Sequence, residues 1–197
     1  MFPESRQKNT KERRILCLGD SNTWGYDPRS YIGSRYPSDV RWTGLLEYAG
    51  WTVMNCGRNG MLIPQKEDFG TVKRLIHSRL PLNVITVMLG SNDLLEGAGA
   101  EETTERMECF LPCVTETAPD AEVLLIAPPS MKEGEWVQSP RLIKESAELA
   151  KHYRKAAARR EVEFADAESW GIELTYDGVH FSPEGHMVFA ERLMELL

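Results

Sequence analysis

Residues 14–25 read R-I-L-C-L-G-D-S-N-T-W-G. A short apolar run, 14–18, is stopped by Gly19, and a polar turn with Asp20, Ser21 and Asn22 follows. Such a run bounded by glycine reads as a strand buried on both faces. The same pattern recurs at 51–56 before Gly57, at 84–89 before Gly90, at 122–127 before Pro128 and Pro129, and at 161–165. Helical spacing fills the intervals at 40–48, 68–80, 101–117, 140–160 and 183–197. In 68–80, for example, Val72, Leu75, Ile76 and Leu80 share one side. Pro112 is expected to kink or break the third helix, because it lacks an N–H and its ring crowds the preceding turn. Five strands alternating with about five helices predict an α/β fold. The expected form is a three-layer α/β/α sandwich around a five-stranded parallel sheet.

An open parallel sheet keeps its ligands beyond the carboxyl ends of its strands. Chemistry is therefore expected just after each apolar run. There the sequence places Gly19-Asp20-Ser21-Asn22, then Asn55-Cys56-Gly57-Arg58-Asn59-Gly60, then Gly90-Ser91-Asn92-Asp93, and, after the fifth run, Asp177-Gly178-Val179-His180. A serine hydroxyl is a weak nucleophile until a base takes its proton, and His180 suits that task near neutral pH. Asp177 can hold the imidazole in one tautomer and stabilise its charged form. Charge developing on a carbonyl oxygen needs preorganised donors. The Ser21 N–H, the Gly60 N–H and the Asn92 amide are the candidates, and Gly60 lacks a Cβ that would keep backbone and substrate apart.

These four blocks resemble the signature of the SGNH, or GDSL, serine hydrolases, in order and spacing from about residue 14 to 197. The resemblance implies a flavodoxin-like version of the sandwich, no cofactor and an acyl-serine intermediate. It makes Ser21, Asp177 and His180 the catalytic triad, and Ser21, Gly60 and Asn92 the oxyanion hole. Asn22 departs from the family name, which has leucine after the nucleophile. Gly19–Gly25 with Trp24, the stretch D-V-R-W-T-G at 39–44, Leu80-Pro81-Leu82 and D-G-V-H-F at 177–181 are closer to the bacterial arylesterase or acyltransferase branch. That branch implies short acyl chains and a homo-oligomer. Trp24, Met61, Ile63 and Pro129 are candidates for the wall of the substrate pocket.

Composition narrows the rest. At 197 residues, 42% hydrophobic and 27% charged, the chain matches one soluble domain over 13–197 preceded by a flexible tail at 1–12. The net charge of -7 argues against nucleic acid, whose binders carry a basic face. No apolar stretch is long enough to span a bilayer, and the N-terminus lacks the apolar core of a secretory signal. Cys17 and Cys56 read as small core residues, and Cys109 and Cys113 lack partners for a metal site. Reduced cysteines then point to the cytoplasm. Asp20 reads as a structural hydrogen-bonding residue, Trp51 and Trp170 as core, His77 and His152 as solvated, and His186 as a surface or capping residue. The reading left open is which reaction the site performs. It can hydrolyse a small ester, transfer the acyl group to another acceptor (including peroxide) or deacetylate a carbohydrate. A flavodoxin-like module that binds a ligand without catalysis is the competing class.

Overall fold

Successive side chains of a strand point to opposite faces of a sheet, and strand β1 (Arg14–Gly19) uses both. Leu16 and Leu18 enter one apolar cluster, while Ile15 and Cys17 enter another. The same division holds for β3 (Val84–Met88) and β4 (Glu122–Ala127). Ile85, Val87, Val123 and Leu125 face the first cluster, and Val84, Met88, Leu124 and Ile126 the second. This is why these strands read as continuous apolar runs: neither face meets water. With β2 (Thr52–Asn55) and β5 (Glu163–Asp166), they form an all-parallel sheet in the order β2-β1-β3-β4-β5. The computed structural model describes residues 13–30 and 32–197. The tail expected over residues 1–12 lies outside them.

Seven α-helices complete the described residues. They are α1 (Ser21–Trp24), α2 (Trp42–Tyr48), α3 (Phe69–His77), α4 (Ser91–Leu95), α5 (Ala100–Thr115), α6 (Pro140–Arg160) and α7 (Pro183–Met194). Helices α3, α5 and α6 cover the first cluster with Ile76, Phe110, Leu149 and Tyr153; α2 and α7 cover the second with Trp42, Leu46, Phe189 and Leu193. The result is the expected three-layer sandwich. Among the described residues, no helix is long and apolar enough to cross a membrane. The strand order reverses direction at β1, so a crevice opens between the carboxyl ends of β1 and β3.

Two sequence expectations are corrected. Helix α5 is not broken at Pro112, the stronger of the two expected outcomes, and runs on to Thr115. Leu111, Cys113 and Val114, on either side of the proline, are all buried in the core. Their packing offsets the single backbone bond that proline forfeits. His186 is not at the surface. It is fully buried, its Nδ1 accepts a long (3.4 Å) hydrogen bond from the Trp42 N–H, and the rings of Tyr36 and Phe181 meet it edge-on. Its helix face looks into the second cluster, so burial, aided by the nearby His180 and Arg41, pushes its pKa from 6.5 down to about 3.

His186 is therefore neutral in the fold but protonates in the unfolded chain below pH 6.5. Its contribution to stability is complete above pH 6.5 and is lost as the pH falls toward about 3. Urea unfolding of the parent and of His186→Phe at several pH values checks this. The variant should gain stability relative to the parent as the pH is lowered across that window.

Candidate active site

Gly19 ends β1, and Asp20 then turns the chain into α1 by accepting a hydrogen bond from the Asn22 N–H at 3.0 Å. Ser21 is the first residue of that helix, so its own N–H has no intrahelical acceptor. Burial pushes the Asp20 carboxyl up to about 6, against the pull of the Asn22 N–H and of His180. Asp20 is thus a cap, as its sequence context indicates.

Asp177 and His180 share the turn that leads into α7. Asp177 is fully buried, and both of its oxygens are occupied. Oδ1 accepts from the Val179 and His180 N–H groups, each at 2.9 Å, and Oδ2 faces His180 Nδ1 at 2.7 Å. Burial pushes this carboxyl up, but the bonds from the His180 ring and from the two N–H groups outweigh it and hold the carboxyl below its usual range. An ionised carboxylate only accepts, so Nδ1 carries the ring proton and Nε2 presents a lone pair. The Ser21 hydroxyl is 2.9 Å from that Nε2 and donates to it. Ser21, His180 and Asp177 therefore form one buried relay assembled from two loops that are 159 residues apart. An arrangement of this kind can move a proton from hydroxyl to imidazole while the carboxylate stabilises the resulting cation.

The candidate donors come from two neighbouring loops. The Asn92 amide, on α4 beyond β3, gives one N–H to Met61 O at 3.1 Å and keeps a second. Gly60 has φ of +70°, a left-handed conformation that favours glycine, and a Cβ there would point into open space. The loop from Arg58 to Gln65 is anchored to α4 a second time: the Ile63 N–H donates to Asp93 Oδ2 at 3.1 Å. Arg106 on α5 holds the other Asp93 oxygen at 2.9 Å. Burial pushes the Asp93 carboxyl up even so, against the pull of Arg106 and Ile63.

A cleft of about 710 Å³ runs from Gly60 past Met61 and Ile63 to Arg106. Met61 and Ile63 line it but are themselves largely packed in the first core cluster. Trp24 and Pro129 do not line this cleft. Trp24 is half-buried beneath the Arg35 guanidinium, which also donates to its carbonyl, and Pro129 is buried beyond β4.

The sequence profile of the GDSL-like lipase/acylhydrolase family matches residues 17–188. The chain belongs to this family. Solved structures agree with the assignment. A carbohydrate acetylesterase from Sinorhizobium meliloti shares 26% identity, over 94% of this chain and all of the other, with a TM-score of 0.81. The M. smegmatis aryl esterase shares 28% identity over the same proportions, with a TM-score of 0.75. A carbohydrate acetylesterase family member from S. meliloti shares 28%, covering 93% of this chain and 96% of its own, with a TM-score of 0.80. No curated protein matches the chain. Family and neighbours together make this GDSL-like protein an esterase with the SGNH fold.

Sequence reasoning gave Asn22 no role, yet it joins the two loops that carry Ser21 and His180. Its Nδ2 donates to Val179 O at 3.1 Å, and its Oδ1 accepts from the Phe181 N–H at 2.9 Å. The signal was present: an amide beside Ser21 offers a donor and an acceptor, where the leucine of the family name offers neither. Sequence reasoning also passed over Tyr26 and Trp136, whose rings lie 4.7 and 5.0 Å from the His180 ring.

Replacing Asn22 with alanine leaves a buried carbonyl and a buried N–H unpaired. Asn22→Ala should cost about 2–4 kcal/mol in urea unfolding. It should also lower kcat on an activated ester, because the histidine loop is no longer tied to the serine loop.

Proposed function

We propose that this esterase hydrolyses short-chain carboxylic esters through an acyl-serine intermediate, with Ser21 as nucleophile, His180 as general base and acid, and Asp177 as the group that orients His180. The observation that carries the proposal is the buried relay from Asp177 Oδ2 to His180 Nδ1 and from His180 Nε2 to Ser21 Oγ, at 2.7 and 2.9 Å. Ser21 Oγ attacks the carbonyl carbon as its proton passes to Nε2. The Ser21 and Gly60 N–H groups and the second Asn92 N–H meet the charge on the carbonyl oxygen. Collapse of the tetrahedral species expels the alcohol, protonated by His180, and leaves the acyl group on Ser21. Water, deprotonated by the same Nε2, then attacks that ester and releases the acid and free Ser21.

The preference for a short acyl chain is supported by the cleft beside Gly60, which Ser21 and His180 do not line, so that only an acyl chain extending past Gly60 would enter it. Arg58, Asp68, Glu96 and Arg106 line it, and a long alkyl chain laid there would strip water from charged groups. Similarity to a carbohydrate acetylesterase supports acetyl as the group transferred.

A fluorophosphonate probe with intact-mass readout tests the nucleophile. One adduct at Ser21 is expected, absent in Ser21→Ala and weakened in His180→Ala; an unlabelled parent refutes the mechanism. On p-nitrophenyl acetate, Asn92→Ala should lower kcat by about 10²–10³-fold with KM nearly constant. Asp177→Asn should lower kcat by about 10⁴-fold, because the imidazole loses the partner that sets its tautomer. A large effect of Asn92→Ala on KM alone would make Asn92 a binding group instead.

A further inference from the structure

His180 stands against two aromatic rings that the reaction above does not use. The Tyr26 ring lies 4.7 Å from the imidazole at an interplanar angle of 55°. The Trp136 indole lies 5.0 Å away and nearly perpendicular, at 83°. Trp136 is 50% exposed, although its ring abuts the buried His180. A half-exposed aromatic ring beside a reactive group offers apolar surface that a ligand in the site can cover.

The indole is also held in place. The backbone from Lys132 to Trp136 runs against the turn that carries Asp177. Lys132 N–H donates to Gly178 O, Glu135 N–H to Tyr176 O and Trp136 N–H to Asp177 O, at 3.0, 3.1 and 3.1 Å. The two chains touch through glycines. A Cβ on Gly134 would lie 2.5 Å from the Asp177 carbonyl carbon, and one on Gly178 would strike the Lys132 carbonyl. Trp136 is therefore fixed by main-chain bonds, and its side chain is not needed to close the strap. Nor is the indole needed to orient His180, whose Nδ1 and N–H are both bound to Asp177.

The chemistry says which part of the substrate these rings meet. His180 Nε2 must reach the leaving oxygen to protonate it, so the alcohol departs alongside the imidazole. The acyl carbonyl is instead drawn to the amide donors. Groups that flank the imidazole therefore flank the alcohol. We propose that Trp136, with Tyr26 as a second wall, forms the leaving-group subsite and takes the flat face of a ring-bearing alcohol, either an aryl ring or the C–H face of a sugar. This rests on the acyl-serine reading above and adds the chemical class of the group released.

The test uses one acyl group and varies the alcohol: ethyl acetate, phenyl acetate and an acetylated methyl xyloside. In Trp136→Ala, the ratio of kcat/KM for a ring-bearing acetate to that for ethyl acetate should fall about ten-fold. Trp136→Leu, which keeps apolar bulk without a flat face, should show the same loss, and Trp136→Phe should recover most of it. Loss confined to phenyl acetate identifies an aryl alcohol, and loss confined to the xyloside a sugar. A constant ratio overturns the subsite, whether all rates persist or all fall in parallel. Labelling of Ser21 by fluorophosphonate in the parent separates the two failures. A labelled serine with a constant ratio sinks the subsite alone, whereas an unlabelled serine sinks the acyl-serine reading with it.

Discussion

A buried carboxylate with both oxygens hydrogen-bonded is the constraint around which the site is organised. Asp177 has no exposed surface, and a charge in that position is tolerated only when hydrogen bonds replace the water it gave up. Three donors do so: two backbone N–H groups of its own turn and the imidazole. The same bonds fix the tautomer of His180, and the tautomer fixes which nitrogen faces Ser21. Geometry and proton inventory are thus set together, before any substrate arrives. Asn22 extends the arrangement across the crevice by pinning the carbonyl of Val179 and the N–H of Phe181 to the serine loop.

The sheet brings these loops to a common edge. Because all five strands run in parallel, every strand ends on the same side, and the reversal at β1 leaves the ends of β1 and β3 uncovered. Ser21 follows one and Asn92 follows the other. The loop with Gly60 is then tied to α4 through Met61 O and Ile63 N, and α4 is tied to α5 through Asp93 and Arg106. The side of the site with Gly60 and Asn92 is consequently stiffened by an ion pair, and the histidine side by main-chain bonds.

Much of this was legible in the residues. The runs of β1, β3 and β4 could be read because a strand buried on both faces has no polar positions to interrupt it. Helix ends were less legible: the last helical pattern extends to 197, but α7 stops at Met194, where tertiary contacts and not periodicity decide the boundary. Pro112 misled because local propensity ignores the packing of Leu111 and Val114. His186 misled because polarity was read without knowing which face of α7 looks inward. Trp136 was not legible at all. It lies in an irregular segment between Ala127 and Pro140, where no period constrains the path and long-range main-chain bonds to the turn at 176–178, with the contact between Gly134 and Gly178, fix it.

That glycine-to-glycine contact has an evolutionary consequence. A strap fastened by its main chain places few demands on its side chains, so positions 133, 135 and 136 are free to drift without loosening the histidine turn beneath them. Glycines 134 and 178, by contrast, tolerate no replacement, since any added atom would push the two backbones apart. The side chain beside His180 and the backbone that holds the histidine turn thereby sit on separate parts of the same short segment. A point substitution at 136 changes the surface beside His180 while the hydrogen bonds joining Ser21, His180 and Asp177 keep their partners.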